Sequence, residues 1–276
     1  MAAQSDQIFF PASLSELFSV WTRFPGAVPY AGGTSLLRGQ CGQIPELPPL
    51  IISLDKINEL DKITRTERYL ELGAMVKLNQ IILLGKIVPG VLKSCLEQIA
   101  GSQIRNIATI GGNICNRGQG QDTTVPLVAL DAQYELCGLQ SARWVSAARF
   151  SSLSHNSALN PHELVSRIRI PLDQWDYSIY RKFSGPSDSG GTVVFMIKNQ
   201  KNVLTDIRVV FKADTIIRDT VSENSLIGKQ LPLNRKIAGE FLEKWENLSA
   251  GIPEIDGYKR KKLLNFIDVA IHNLSE

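Results

Sequence analysis

The chain has 276 residues, 43% of them hydrophobic, enough for one large globular domain or two modest ones. A net charge of +3 is too small to argue for a nucleic-acid partner, and no apolar run approaches the ~20 residues that a bilayer span needs. The opening stretch, MAAQSDQIFFPASLSEL, has neither a basic leader nor an apolar core, so a cytoplasmic protein without membrane contact is expected.

In chain order, Ser13-Leu14-Ser15-Glu16 reads as a capping box before Leu14, Leu17, Phe18 and Trp21 at helical spacing. Pro25-Gly26 closes that helix. Ala27 to Ala31 predicts a buried strand that runs into Gly32-Gly33-Thr34-Ser35, and Leu50 to Leu54 a second strand after a Gly/Pro-rich loop from Gly39 to Pro49. Arg68 to Leu72 reads as a strand and Lys77 to Leu84 as a short helix stopped by Gly85. A further helix from Pro89 carries Val91, Leu92, Cys95, Leu96 and Ile99 inward and stops at Gly101. Ser102 to Ile107 leads to a second double glycine, Thr109-Ile110-Gly111-Gly112-Asn113, followed by Asp122.

Val125 to Leu130 is apolar enough for a buried helix or turn, and Tyr134 to Cys137 and Arg143 to Ser146 read as strands. Glu163 to Pro171 puts Leu164, Ser166, Ile168 and Ile170 on one face of a half-buried strand. Trp175 to Phe183 opens a third region. Thr192 to Lys198 and Val203 to Ala213 form a hairpin about Asn199-Gln200-Lys201-Asn202. Two helices follow, one capped by Asn234 with Ile237, Phe241, Leu242 and Trp245 inward, the other with Leu263, Leu264, Ile267, Ala270, Ile271 and Leu274 inward. Lys259-Arg260-Lys261-Lys262 reads as a solvated face.

The chemistry concentrates in the two double glycines. Glycine lets a backbone turn sharply and approach a ligand, and successive exposed N–H groups make an anion-binding concavity. Thr109 and Asn113 add side-chain donors, and Asp122 reads as an acceptor for sugar hydroxyls. Either stretch alone is also explained by a Gly-rich surface turn; two in one chain could clamp one pyrophosphate. Neither matches G-x-G-x-x-G or the phosphate loop of nucleotide hydrolases. Cys41, Cys95, Cys115 and Cys137 are widely separated, and His155, His162 and His272 form no ligand pattern, so no metal site is expected. No catalytic constellation emerges either. A phosphate binder without reactive groups of its own is most simply a cofactor carrier.

Taken together, AGGTSLL and RNIATIGGNICN…D…LVALDA resemble the FAD-binding (medium) subunits of molybdenum hydroxylases, the family of carbon monoxide dehydrogenase and xanthine dehydrogenase, along nearly the whole chain. The resemblance implies an α+β fold: a two-subdomain FAD-binding domain of the vanillyl-alcohol-oxidase/PCMH type, residues 1–56 and 57–174. A smaller C-terminal α+β domain, 175–276, would follow as a three-stranded sheet with helices. It implies FAD held non-covalently, its pyrophosphate between Ala31, Gly32, Gly33, Thr34, Ser35 and Leu36 on one loop and Thr109, Gly111, Gly112 and Asn113 on the other. Asp122 would meet the sugar-like portion, Val165 the isoalloxazine or adenine, and Lys182 the flavin ring. Plain core packing is the other explanation for Val165, and a solvated strand position for Lys182. The implied activity is that of an oxidoreductase subunit passing electrons from 2Fe-2S clusters of a small subunit to NAD or another acceptor. A molybdopterin-binding large subunit would supply them. A free-standing FAD-dependent reductase of the same fold is the alternative. The chain departs from the family at Cys115 to Gln121, which lacks the usual proline, and at Ser184 to Gly191, where an Arg- and Ala-rich stretch is common.

Overall fold

The computed structural model describes residues 7–38, 46–116, 121–152, 158–183 and 190–274; Cys41 and His155 lie outside them. The chain forms two compact units. The first contains Met1–Pro89, Ile99–Thr124 and Asp131–Leu172, the second Gly90–Gln98, Val125–Leu130 and Asp173–Glu276. No described helix is long and apolar enough to cross a membrane.

The first unit begins with β1 (Gln7–Phe9), a strand with no clear signal in the sequence, and α1 (Leu14–Arg23). Ser13 Oγ accepts the Glu16 N–H at 3.2 Å, while the Glu16 carboxylate accepts from Ala12 N at 2.8 Å, one residue before the position a capping box uses. Leu17, Phe18 and Trp21 are buried against Leu50, Ile52, Ile57 and Leu60. β1 and β2 (Val28–Tyr30) flank β3 (Leu50–Ser53) in a parallel three-stranded sheet. The expected buried strand at Ala27–Ala31 is therefore an edge strand. Pro29 has no N–H to give a second neighbour, and Val28 is 44% exposed.

The second sheet of this unit is antiparallel, in the order β4 (Ile63–Arg65), β5 (Tyr69–Gly73), β8 (Leu164–Pro171), β6 (Gln133–Cys137), β7 (Ala142–Ser146). Central β8 buries Leu164, Ser166, Ile168 and Ile170 on one face, as its alternation predicts. Arg167 and Arg169 on the other face pair with Glu71. The short helices α2 (Leu78–Leu83), α4 (Ser102–Arg105), α5 (Ile110–Cys115) and α7 (Ala147–Ser152) complete the unit.

In the second unit, α3 (Gly90–Glu97) ends well before Gly101, and the left-handed residue beyond it is Ala100 at φ 43°. α6 (Thr124–Ala129) has its last carbonyls capped by guanidinium groups, Arg208 at Ala129 O (2.6 Å) and Arg218 at Val128 O (3.5 Å). The sheet runs β12 (Ile216–Arg218), β11 (Val203–Lys212), β10 (Gly191–Gln200), β9 (Tyr177–Phe183), all antiparallel. It has four strands where three were expected; the addition, β12, is too short to show a period. The hairpin turn is only Lys201 and Asn202, both left-handed at φ 52° and 60°, so the strands run further into the polar stretch than anticipated. Helices α8 (Thr220–Leu226), α9 (Arg235–Ala250) and α10 (Gly257–His272) start at side-chain caps from Asp219, Asn234 and Asp256. Phe195, Phe211, Phe241, Trp245, Leu263 and Ile267 fill the core between sheet and helices. Lys259 is not part of a solvated face. It stands one turn before Leu263 on the inward stripe, is 7% exposed, and places Nζ 3.3 Å from Glu254 O and 3.5 Å from Asp214.

Candidate functional site

Both double glycines belong to the first unit, and each needs glycine for a different reason. Gly33 takes a left-handed φ of +65°, and a Cβ there would lie 2.0 Å from the Tyr30 hydroxyl. At Gly32 a Cβ would lie 2.2 Å from Ile107 O and 3.2 Å from Ala108 Cα. The loop after β2 thus touches the backbone just before Thr109 only because position 32 has no side chain.

The second stretch is not a bare turn. Thr109 caps α5, its Oγ1 accepting the Gly112 N–H at 3.0 Å. The Ile110 N–H donates to Val76 O, Gly111 to Ala74 O and Asn113 to Thr109 O, all within 3.0 Å. The anticipated concavity of free amides at Gly111-Gly112 is therefore filled from within the chain. Gly111 is a packing residue: it is buried, and a Cβ would lie 2.6 Å from Ala74 Cβ. The free donors are on the first loop instead. Among the described residues no acceptor takes the N–H groups of Gly32, Gly33, Thr34 or Ser35. Four consecutive amides without partners make an anion-binding nest.

The two stretches face each other across a cleft of about 260 Å³. Nine of the thirteen expected residues line it: Ala31, Gly32, Gly33, Thr34, Ser35 and Leu36, with Thr109, Gly112 and Asn113 opposite. Gly111, Asp122, Val165 and Lys182 do not. Asp122 sits part-exposed in the turn before α6. Val165 is buried and reaches the site through its backbone hydrogen bond to Cys115. Lys182 is an exposed residue of β9 in the second unit, opposite Thr192.

Three contributors were missed. Tyr30 lines the cleft beside Gly33, Asn116 accepts from Ser35 Oγ at 2.7 Å, and buried Thr123 donates through Oγ1 to Asn113 Oδ1 at 2.6 Å. Tyr30 was visible as the residue leading into the first double glycine. The other two have no spacing signal, because their partners are set by the tertiary fold.

Among the described residues lining the cleft there is no carboxylate, lysine, arginine or histidine. Among the described residues an anion there is met by neutral dipoles, the Tyr30 phenol included. Cys115 borders the cleft, but burial, only partly offset by a backbone hydrogen bond from Val165, leaves its thiol pushed up to about 12. It stays a neutral thiol rather than a nucleophile. The fit to a dinucleotide is good in kind and limited in extent. The unpartnered amides suit a diphosphate, while ~300–1,000 Å³ is usual for a cleft enclosing a drug-sized ligand. A cleft of about 260 Å³ therefore holds the middle of such a ligand rather than both ends.

Known proteins agree with this fold. Carbon monoxide dehydrogenase from Oligotropha carboxidovorans has a chain of TM-score 0.81 and 24% identity, the match covering 100% of this chain and 99% of that one. The fold is that of the PCMH-type FAD-binding domains. Several relatives are similar in sequence, among them two medium chains. The carbon monoxide dehydrogenase medium chain of Afipia carboxidovorans is 28% identical over 80% of this chain and 79% of its own length. The glyceraldehyde dehydrogenase medium chain of Sulfolobus acidocaldarius is 28% identical over 74% of each. Residues 4–173 match the family described as the FAD binding domain in molybdopterin dehydrogenase, and the chain belongs to it. Its cofactor is FAD.

Proposed function

We propose that the chain is the FAD-carrying electron-transfer subunit of a xanthine dehydrogenase-like molybdenum hydroxylase. Its place is between the 2Fe-2S clusters of a small partner subunit and a terminal acceptor, NAD or another, with a molybdopterin-binding large subunit acting on the substrate. Two of its relatives are named medium chains, a term that itself implies larger and smaller companions. When bound, FAD supplies the redox chemistry. The chain binds and orients it: the amides of Gly32 to Ser35 would take the diphosphate, and Gly32 would keep the opposite stretch within reach.

The row of amides without partners among the described residues carries this reading. A free-standing reductase would need a proton donor of its own, and turnover of a small substrate by the isolated chain would favour it. A cytoplasmic location is in keeping with Cys95, Cys115 and Cys137 as free thiols. The test is to add FAD to the isolated chain and record flavin absorbance after gel filtration, then repeat with the partner chains present. Retained flavin that is reduced by substrate only in the assembly supports the reading. Absence of flavin after reconstitution rejects it. Adding NAD to the assembly, with an artificial acceptor in parallel, identifies the terminal step.

A further inference from the structure

We infer that Asn116 is a further cofactor-binding residue, its side-chain amide donating to the FAD diphosphate and held in place by Ser35. The inference rests on the proposed FAD site and adds to it a residue outside the two double-glycine stretches. Asn116 ends α5 as its C-cap and lines the cleft. Its Oδ1 accepts the Ser35 hydroxyl proton at 2.7 Å, a bond between residues 81 positions apart that ties the first loop to the end of the second stretch. The main-chain carbonyl of Asn116 accepts from Gln121 Nε2, which fixes the backbone behind it.

Two consequences follow from the donor and acceptor inventory. A serine hydroxyl has one proton, and here it is committed to Asn116, so Ser35 has only its main-chain N–H left for a ligand. A carboxamide has an oxygen and an NH2. With the oxygen held by Ser35, the NH2 is the end left over, and among the described residues it has no acceptor. Beside four amides without partners among the described residues, a preoriented NH2 adds a fifth neutral donor of the kind a diphosphate recruits.

The experiment uses the full chain and FAD, with affinity from fluorescence titration and the bound diphosphate followed by phosphorus-31 NMR. Asn116→Asp keeps an acceptor for Ser35 but replaces the donor with a negative charge. Asn116→Ala removes both. Loss of a hydrogen bond to a charged group predicts roughly 10–100-fold weaker FAD for Asn116→Ala, and a larger loss for Asn116→Asp. In Asn116→Ala saturated with FAD, the phosphorus resonances shift while the visible flavin maxima stay in place. Ser35→Ala weakens binding less, and adding it to Asn116→Ala costs nothing further, because the two act as a unit. Thermal melts of the unliganded variants within a few degrees of wild type establish that the losses are local.

Affinity of Asn116→Asp within about 3-fold of wild type, unmoved phosphorus resonances, or full additivity of the two alanine variants would each overturn the assignment. Wild-type protein that binds no FAD is a separate outcome. It removes the site itself rather than the role of Asn116 within it.

Discussion

Gly32→Ala is the sharpest perturbation of the cleft, because everything a Cβ would meet there is backbone. The added carbon would lie 2.2 Å from Ile107 O, 2.8 Å from Ile107 C and 3.2 Å from Ala108 Cα. Ordinary contact begins near 3.4 Å, so the two stretches must part by about 1 Å. No flexible side chain can yield in their place. Overpacking of this kind costs roughly 1–3 kcal/mol, which lowers the melting temperature of a domain this size by roughly 2–10 °C. FAD affinity is expected to fall as well, since each hydrogen bond to a charged group that the shift breaks is worth about 1.5–3 kcal/mol, roughly 10–100-fold. Gly26→Ala is the control, with nothing within 4 Å of the new Cβ and no left-handed φ. Titration of both variants with FAD, alongside melts of the unliganded proteins, decides the matter. Gly32→Ala with wild-type melting and FAD affinity within about 3-fold would refute the close approach of the two stretches.

Gly112→Ala is expected to weaken FAD at least ~10-fold, because its Cβ points into the cleft and lies 2.8 Å from the capping Thr109 Oγ1; Gly111→Ala is expected to destabilise the fold by roughly 1–3 kcal/mol against Ala74, with FAD affinity changed mainly through that loss. Parallel melts and FAD titrations separate the two. Gly239→Ala, on an exposed face of α9 with nothing within 4 Å, should stabilise by about 0.5–1 kcal/mol in urea unfolding and leave FAD untouched. The Arg143 hydrogen bond holds Glu163 at about 2, below its usual value of 4.5, so the stabilisation is complete above about 4.5 and fades as pH falls from there towards 2. Arg143 is 44% exposed, so screening limits the effect to about 0.5–1 kcal/mol; melts of wild type and Glu163→Gln should differ at pH 6 and draw together as pH falls towards 2.

Much of the fold could be read from local pattern, and the exceptions have physical causes. The alternation of Leu164, Ser166, Ile168 and Ile170 is a two-residue period that only a half-buried strand satisfies, and β8 follows it. The caps at Ser13 and Asn234 are likewise decided within a few residues. Where a decision depends on distant partners, sequence reading went astray. Lys259 looked solvated in a run of four basic residues, yet its place one turn before Leu263 puts its stem on the inward stripe, with Asp214 and Glu254 receiving the ammonium. β2 looked buried by hydropathy, although Pro29 within it argued for an edge.

The site divides along the same line. Both double glycines stood out, and the two stretches do line one cleft. Sequence cannot say which amides stay free, because that depends on who else accepts them. At the second stretch Ala74 O, Val76 O and Thr109 consume the donors of the first turn of α5; at the first stretch nothing described does. The two glycine pairs look equivalent in sequence but divide the work: one offers N–H groups and, at Gly32, the room for a close approach, while the other forms a wall packed against Ala74 and capped by Thr109. That asymmetry explains why Gly32 and Gly112 are predicted to govern affinity and Gly111 stability, although all three read alike as letters in a motif.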